Sequence, residues 1–274
     1  MKLKIAFSPC PNDTFIFDAL INDKIDKEDL EFDLVLQDVQ ALNQHTKDGA
    51  FDIAKISYGA YPGLAKDYII LNSGSALGFG VGPLLIGKSI ADIDSIDDQL
   101  IAIPGENTTA HFLFSSAYPQ AVNKIFLRYD EIEQFVLDGK GLGVIIHENR
   151  FTYEQKGLIK IQDLGDYWEK KNGHPIPLGG IVIRRSIEKE VQMKIDKLIK
   201  QSIEYAFSNY PKLNSFITSN AQEMSEAVML KHIDLYVNKY SLGLGDIGKN
   251  AVKKMLQFFN KDLLENPNMP LFVT

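Results

Sequence analysis

Short apolar runs of strand length alternate with segments of helical spacing over the first two-thirds of this chain. Residues 2–7, 52–55, 100–103 and 143–146 are strand-like, and residues 109–117 form one of the helical patterns between such runs. This alternation is typical of βαβ units, in which a helix joins two parallel strands. The sequence therefore predicts an α/β fold with mostly parallel sheets.

The last third of the chain has a different pattern. Long amphipathic segments follow one another with hardly any strand signal, at residues 187–208, 210–219, 223–238 and 246–260. Apolar residues that recur at this spacing form one face of a helix. We therefore expect a helical C-terminal part.

Glycines and prolines cluster in two places, at residues 74–83 and 173–180, next to strand-like runs. A chain of 274 residues is long enough for two modest domains. If the clusters are crossings between lobes, residues 1–86 and 184–274 form one lobe, residues 87–183 form the other, and a ligand cleft lies between them. Ordinary loop punctuation explains the same glycines, so both interpretations stay open.

Composition excludes several classes of partner. Lysine and arginine number 29 against 36 aspartate and glutamate, a net charge of −7 without a basic stripe, so we expect neither nucleic acid nor an anionic membrane surface as partner. Cys10 is the only cysteine, which rules out an internal disulfide and a cysteine-based zinc cluster. The start lacks the pattern of a secretory signal, and no run reaches the length of a membrane helix. We expect a cytoplasmic protein without membrane insertion, acting as a monomer or homodimer.

The first candidate site follows the first strand-like run. Residues 8–15 read Ser-Pro-Cys-Pro-Asn-Asp-Thr-Phe, a polar loop before an apolar helical segment. Asn12, Asp13 and Thr14 are good N-cap residues for a helix that begins at Phe15. Since ligands bind at the carboxyl ends of strands in open α/β sheets, Asn12 and Thr14 are candidates for ligand binding.

A second candidate is Lys55-Ile56-Ser57, which ends another strand-like run. The hydroxyl of Ser57 is able to cap a helix or bond a carboxylate, and Lys55 supplies a compact positive charge. A lysine at a strand end is also commonly a solvated surface residue. The third candidate, Asn107-Thr108-Thr109-Ala110, begins a helix after a strand, where the N–H groups of Thr109 and Ala110 are placed to cradle a carboxylate. Simple capping is the plainer interpretation.

The fourth candidate is His147, which follows the buried-strand pattern of residues 143–146. An imidazole there is able to exchange a proton near neutral pH, with Glu148 or a backbone carbonyl orienting its ring. A structural or surface role is the alternative. A metal shared by His147 and His111 is disfavoured because no carboxylate or cysteine stands at a recognised interval. Cys10 is either a nucleophile near a helix start or a small packing residue.

Four of these segments together resemble the 1,4-dihydroxy-6-naphthoate synthases of the futalosine route to menaquinone. They are residues 8–15, Lys-Ile-Ser at 55–57, Asn-Thr-Thr-Ala at 107–110 and Ile-His-Glu-Asn-Arg-Phe at 146–151. The likeness covers essentially the whole chain. It implies a two-lobed fold like that of type II periplasmic binding proteins, here kept in the cytoplasm as an enzyme.

The resemblance also implies a reaction. A small-molecule carboxylate, cyclic dehypoxanthine futalosine, is converted to 1,4-dihydroxy-6-naphthoate with release of dihydroxyacetone and without a cofactor or metal. His147 matches the family's proton acceptor, and its substrate-binding segments match Lys55, Ile56, Ser57, Thr109 and Ala110. Two alternatives remain: the related chorismate dehydratases share the architecture, and a solute-binding protein would capture a carboxylate without chemistry.

Overall fold

The computed structural model describes residues 1–89, 96–221, 225–259, 264, 266 and 269–274. Its strands, in chain order, are β1 (Lys2–Phe7), β2 (Glu31–Leu36), β3 (Ile53–Ser57), β4 (Tyr68–Ile70), β5 (Ala76–Gly78), β6 (Leu84–Gly87), β7 (Ile101–Ile103), β8 (Lys124–Phe126), β9 (Leu142–Ile145), β10 (Ile159–Asp163) and β11 (Ile176–Arg184).

The helices alternate with these strands and then follow them. In chain order they are α1 (Pro11–Ile21), α2 (Val39–Lys47), α3 (Thr109–Ala117), α4 (Ile132–Leu137), α5 (Asn149–Thr152), α6 (Leu164–Asn172), α7 (Lys189–Asn209), α8 (Ser215–Asn220), α9 (Glu226–Tyr236), α10 (Lys239–Leu242) and α11 (Gly245–Leu256). The α/β class and the helical C-terminal part are thus confirmed. Among the described residues, no helix is long and apolar enough to cross a membrane.

The chain divides into two compact units. Unit 1 comprises Met1–Gly78 and Pro177–Thr274, and unit 2 comprises Phe79–Ile176. These limits differ from the expected ones at 86/87 and 183/184, and strand pairing explains the difference. β6 pairs with β9 and β10 and so belongs to unit 2, whereas β11 pairs with β3 and β4 and so belongs to unit 1.

Unit 1 is built on a sheet of order β2-β1-β3-β11-β4, with β5 paired to β11. β1 is parallel to β2 and β3, whereas β11 is antiparallel to β3 and β4. Helix α1 contacts α7, α8 and α9. Its segment Phe15-Ile16-Phe17 is almost fully buried within the hydrophobic core of unit 1.

Unit 2 is built on a five-stranded sheet of order β10-β6-β9-β7-β8. β7 is parallel to β8 and β9, and β6 is antiparallel to β9 and β10. Helix α4 packs closely on β9 because Gly143 has no side chain: a Cβ there would lie 2.5 Å from Cγ2 of Ile132. Both sheets are therefore mixed rather than mostly parallel. The parallel pairs that the sequence predicts are those that β1 and β7 form with their neighbours. The antiparallel pairing of β4, β6, β10 and β11 was not predicted from the sequence.

Several elements differ from their predicted limits. The sequence pattern did not predict β5, α6 or α10. The helix expected from residue 210 begins at Ser215, because the Asn214 side chain accepts a hydrogen bond from the Ile217 N–H and caps the helix there. Residues 223, 224 and 260, at the ends of two predicted helices, lie outside the described residues.

We predict that Gly74→Ala destabilises unit 1 by about 2 to 4 kcal/mol. Gly74 has φ +80°, and a Cβ there would overlap the buried Ile181 side chain and lie 3.3 Å from Ile199. Gly63→Ala is the matched control, since nothing lies within 4 Å of its added Cβ. Urea denaturation followed by circular dichroism measures both variants. Equal midpoints would show that the close approach at Gly74 is absent.

Candidate functional site

The polar edge of unit 1 forms where β1 and β3 end. The two strands are parallel, with Ile5 opposite Ile53 and Ala6 opposite Ala54. Their carboxyl ends therefore lie at the same edge of the sheet. Helix α1 begins at this edge with Cys10 as N-cap and Pro11 in the first turn. The predicted caps were wrong, because a proline at the first helical position is pre-set for helix and moves the start ahead of residue 12.

Asp13 lies at the centre of a buried polar cluster at this edge. Its carboxylate accepts hydrogen bonds from the Ser8 hydroxyl at 2.7 Å and from the Asn12 amide at 2.9 Å. The Lys55 ammonium lies 3.1 Å from the same carboxylate and donates to the Gly74 carbonyl at 2.6 Å. The Lys55 and Asp13 side chains are only 8% and 4% exposed, so this pair is held away from water.

Asn12 and Thr14, two residues of the predicted site, differ in the hydrogen bonds that their side chains make. Oδ1 of Asn12 is buried and has no hydrogen-bond partner among the described residues. A buried acceptor without a donor is costly. The role of Asn12 in ligand binding stays a prediction. The Thr14 hydroxyl instead donates to the carbonyls of Cys10 and Pro11 within its own helical turn. Its role in ligand binding stays a prediction.

Ser57 is fixed by a residue that the sequence analysis did not single out. Its backbone N–H donates to Oδ1 of Asn43 at 2.9 Å, and the Asn43 amide donates to the Ser57 hydroxyl oxygen at 3.2 Å. The period of a strand places Ser57 and Lys55 on the same face of β3. Ile56 points to the other face, is 1% exposed and lies opposite Gly180 of β11.

We predict that Lys55→Met destabilises the protein by about 3 to 5 kcal/mol, since it leaves the Asp13 carboxylate buried without its cation. Adding Asp13→Asn removes the uncompensated charge and should restore most of the loss. The control is Lys170→Met, which breaks an exposed pair with Asp166 and should cost less than about 1 kcal/mol. Chemical denaturation of the three variants measures these differences. A double variant as unstable as Lys55→Met would contradict the proposed charge balance.

The polar edge of unit 2 forms where β7 and β9 end. These strands are also parallel, with Ile101 opposite Leu142, so their carboxyl ends share an edge. Helix α3 begins there at Thr109, and Thr108 is the N-cap, whose hydroxyl oxygen accepts from the His111 N–H at 3.2 Å. Thr109 and Ala110 therefore occupy the first turn, as predicted, and both are buried.

His147 follows β9 at the same edge of unit 2. Its φ is +55°, a left-handed conformation that costs a non-glycine residue about 1 to 2 kcal/mol. Its ring meets Tyr129 edge to face, with the ring centroids 5.1 Å apart. Backbone strain of this kind clusters at functional sites. His147 thus follows a buried strand, as the sequence pattern indicates, and its catalytic role stays a prediction.

Glu148 is an acid in an unusual environment. Its Oε2 atom is buried and makes no hydrogen bond with any described residue. A carboxylate oxygen of Glu148 and a ring nitrogen of His147 lie within 4.8 Å of each other. Burial, together with the nearby charges of Glu133 and Asp130, raises the pKa of Glu148 to about 7. The acid therefore holds its proton up to neutral pH.

The other candidate residues are engaged elsewhere. One ring nitrogen of His111 bonds the Glu106 carbonyl at 2.8 Å, and the other lies 3.5 Å from the Lys124 ammonium. Burial lowers the pKa of His111, so its ring is neutral and donates to that carbonyl. Cys10 is a buried thiol at the start of α1.

We predict that the free energy of unfolding of Glu148→Gln increases relative to that of the wild type as pH rises. Below the ordinary carboxyl pKa of 4.5, folded and unfolded Glu148 are both protonated. Between there and about pH 7 only the unfolded state ionises, so the wild type loses stability that the glutamine variant keeps. From pH 5 to pH 8 the gain should reach about 2 to 3 kcal/mol. Urea denaturation at both pH values measures it, with the exposed Glu154→Gln as control. A gain independent of pH would contradict the raised pKa.

Comparison with known proteins places the chain in a family. A family model described as menaquinone biosynthesis matches residues 3–261. A protein of Thermus thermophilus named 1,4-dihydroxy-6-naphthoate synthase is 38% identical over 273 residues, which cover 99% of this chain and 99% of that protein. The chain belongs to the menaquinone biosynthesis family. The resemblance found in the sequence motifs is thereby confirmed.

Solved structures confirm the fold of this menaquinone biosynthesis family member. A crystal structure of a protein from Archaeoglobus fulgidus matches with a TM-score of 0.89 at 31% identity, over 96% of this chain and 98% of that one. The periplasmic aliphatic sulphonate binding protein of Escherichia coli matches with a TM-score of 0.65 at 10% identity, over 96% of this chain and 88% of that one. The expected likeness to periplasmic binding proteins is correct.

The sequence analysis missed three contributors to the two edges. Asp13 was interpreted only as a helix cap, although its main partner is Lys55 on another element. Asn43 lies inside α2, where nothing local indicates that it holds Ser57. Glu148 was considered only for orienting the ring of His147. Each role depends on a contact between elements, which no spacing along the chain encodes.

Proposed function

We propose that this chain is a carbon–carbon lyase that converts cyclic dehypoxanthine futalosine to 1,4-dihydroxy-6-naphthoate and dihydroxyacetone. Family membership and the name of the Thermus thermophilus relative support menaquinone biosynthesis as its setting. The observation that carries the proposal is His147, in a strained conformation at the carboxyl end of β9. Under the proposal the reaction takes place in the cytoplasm and needs no oxidant or reductant, because it splits one molecule into two and moves only protons.

In the proposed mechanism His147 is the general base. It removes a proton from the cyclic substrate, the carbon–carbon bond to the three-carbon fragment breaks, and the remaining ring system becomes aromatic. A positioned base of this kind contributes about 10²- to 10⁴-fold to the rate. The edge-to-face contact with Tyr129 limits the rotation of the ring and so keeps its nitrogens in one orientation.

The substrate contacts are proposed for each unit by itself. In unit 2, the first turn of α3 offers backbone N–H groups at Thr109 and Ala110 and the positive end of the helix dipole to the substrate carboxylate. In unit 1, we assign Lys55, Ser57 and Asn12 to substrate binding. Two of the three N–H groups of Lys55 have partners among the described residues, Asp13 and the Gly74 carbonyl, and we assign the third to substrate binding.

We predict that His147→Ala folds normally and loses turnover by about 10²- to 10⁴-fold. Purified enzyme is incubated with cyclic dehypoxanthine futalosine, and 1,4-dihydroxy-6-naphthoate is measured by chromatography. The exposed His45→Ala is the matched control and should keep wild-type turnover. Near-wild-type activity of His147→Ala would remove its assignment as base.

The same assay separates the two alternatives. A chorismate dehydratase would consume chorismate and leave cyclic dehypoxanthine futalosine intact. The other alternative is a solute-binding protein, because the sulphonate-binding protein has the same fold. Such a protein would return both compounds unchanged. The family model and the named relative favour the synthase over both.

A further inference from the structure

A buried acid, a partly buried acid and an exposed lysine, Glu133, Glu148 and Lys156, interact beside His147 in unit 2. Glu133 on α4 is 4% exposed, and its Oε2 atom accepts from the Lys156 ammonium at 2.6 Å. Oε1 of Glu133 and Oε2 of Glu148 are both buried without a hydrogen-bond partner among the described residues. Lys156, the lysine whose charge acts on Glu148, thus pairs with Glu133, and Glu148 forms no ion pair with any residue that the structure describes.

The charges that act on Glu148 come from three elements around it. Glu133 belongs to α4, Asp130 to the short turn before α4, and Lys156 to the turn after α5. Burial and the two anions favour the protonated acid, whereas the backbone N–H of Glu148 itself and Lys156 oppose them. His147 precedes Glu148 in the chain, and its ring nitrogen lies within 4.8 Å of the carboxyl group.

We propose that Glu148 is a second catalytic residue, the general acid that gives a proton to the departing three-carbon fragment. This inference rests on the proposed function. A structural carboxylate would be expected to face a lysine, an arginine or backbone N–H groups. The Glu148 carboxyl group has a hydrogen bond from its own backbone N–H, but its Oε2 atom has none of these partners among the described residues, although it is buried next to the base.

The proposed cleavage step conserves protons and electrons. His147 takes a proton from the substrate, and the electron pair of the broken C–H bond forms the new double bond as the carbon–carbon bond breaks. The pair from the carbon–carbon bond stays on the departing fragment, which takes the proton of Glu148. The imidazolium of His147 then returns its proton to the Glu148 carboxylate, directly or through one water molecule, since the two groups lie within 4.8 Å of each other. Both residues regain their starting states.

Glu148→Gln tests the role of the acid directly. Glutamine keeps the size of the side chain and cannot transfer a proton. We expect kcat to fall by about 10²- to 10⁴-fold while KM changes only a few-fold. The alkaline limb of the kcat–pH profile, which reports ionisation of the acid, should disappear. Glu154→Gln, an exposed change on the neighbouring turn, is the control and should leave kcat and the profile unchanged.

Glu133→Gln provides a readout that a structural role would not move. Removing the negative charge of Glu133 stabilises the ionised form of Glu148, so the acid loses its proton at lower pH. The alkaline limb of the kcat–pH profile should therefore shift to lower pH in this variant. A limb that stays in place would overturn the inference even if Glu148→Gln fails to fold.

The outcomes distinguish this inference from the proposed function. If the wild type does not convert cyclic dehypoxanthine futalosine, the proposed function itself fails. If the wild type converts it and Glu148→Gln keeps wild-type kcat with its alkaline limb, only the role of Glu148 is overturned. Loss of kcat together with the alkaline limb supports the general acid.

Discussion

Parallel pairing at the centre of each sheet is the constraint on which both polar edges depend. β1 lies parallel to β3 in unit 1, and β7 lies parallel to β9 in unit 2. Because parallel strands end at the same edge, the first turn of α1 meets the end of β3, and α3 begins at the edge where His147 stands. Antiparallel pairing at either place would send one of the two partners to the opposite edge. The antiparallel strands β6 and β11 extend the sheets without disturbing these edges.

The two polar edges differ in the partners of their acidic side chains, Asp13 in unit 1 and Glu148 in unit 2. In unit 1 the Asp13 carboxylate has a cation and two neutral donors, so its charge is balanced and its geometry is fixed. Such a cluster suits binding, because it presents Lys55 in one position without reorganisation. In unit 2 Glu148 pairs with no cation among the residues that the structure describes, and Lys156 nearby pairs with Glu133. A carboxyl group kept protonated in this way suits proton transfer near neutral pH.

Much of this arrangement could be predicted from the sequence because it depends on local signals. The strands and most helices follow from apolar periodicity, and the starts of α2 and α3 follow from Asp38 and Thr108 as N-caps. The misses have physical reasons. β5 is three residues long and ends in Gly78, which weakens a strand signal, and α6 buries few of its residues. The limits of the two units depend on strand partners, which the sequence pattern does not specify.

The site residues also divide into those that local sequence signals predict and those that depend on contacts between distant elements. The strand ends at Lys55, Ser57 and His147 were predicted because position along a strand decides which side chains reach its edge. Their partners Asp13 and Asn43 were not assigned to them, because each contact joins two elements distant in sequence. Tertiary contacts of this kind decide which polar groups are balanced and which are not.

Two neighbouring residues of unit 2 each have a feature that lowers the stability of the fold, and this distinguishes His147 from His111. His147 carries the left-handed backbone conformation, and Glu148 carries the buried oxygen without a partner. His111, by contrast, sits in a regular helix with both ring nitrogens engaged by Glu106 and Lys124. Neither cost at residues 147 and 148 helps the fold, so the packed core of β6, β7, β9 and α4 must sustain both. Residues that violate local rules at the expense of stability are expected where chemistry requires them, and here they form one dipeptide at a strand end.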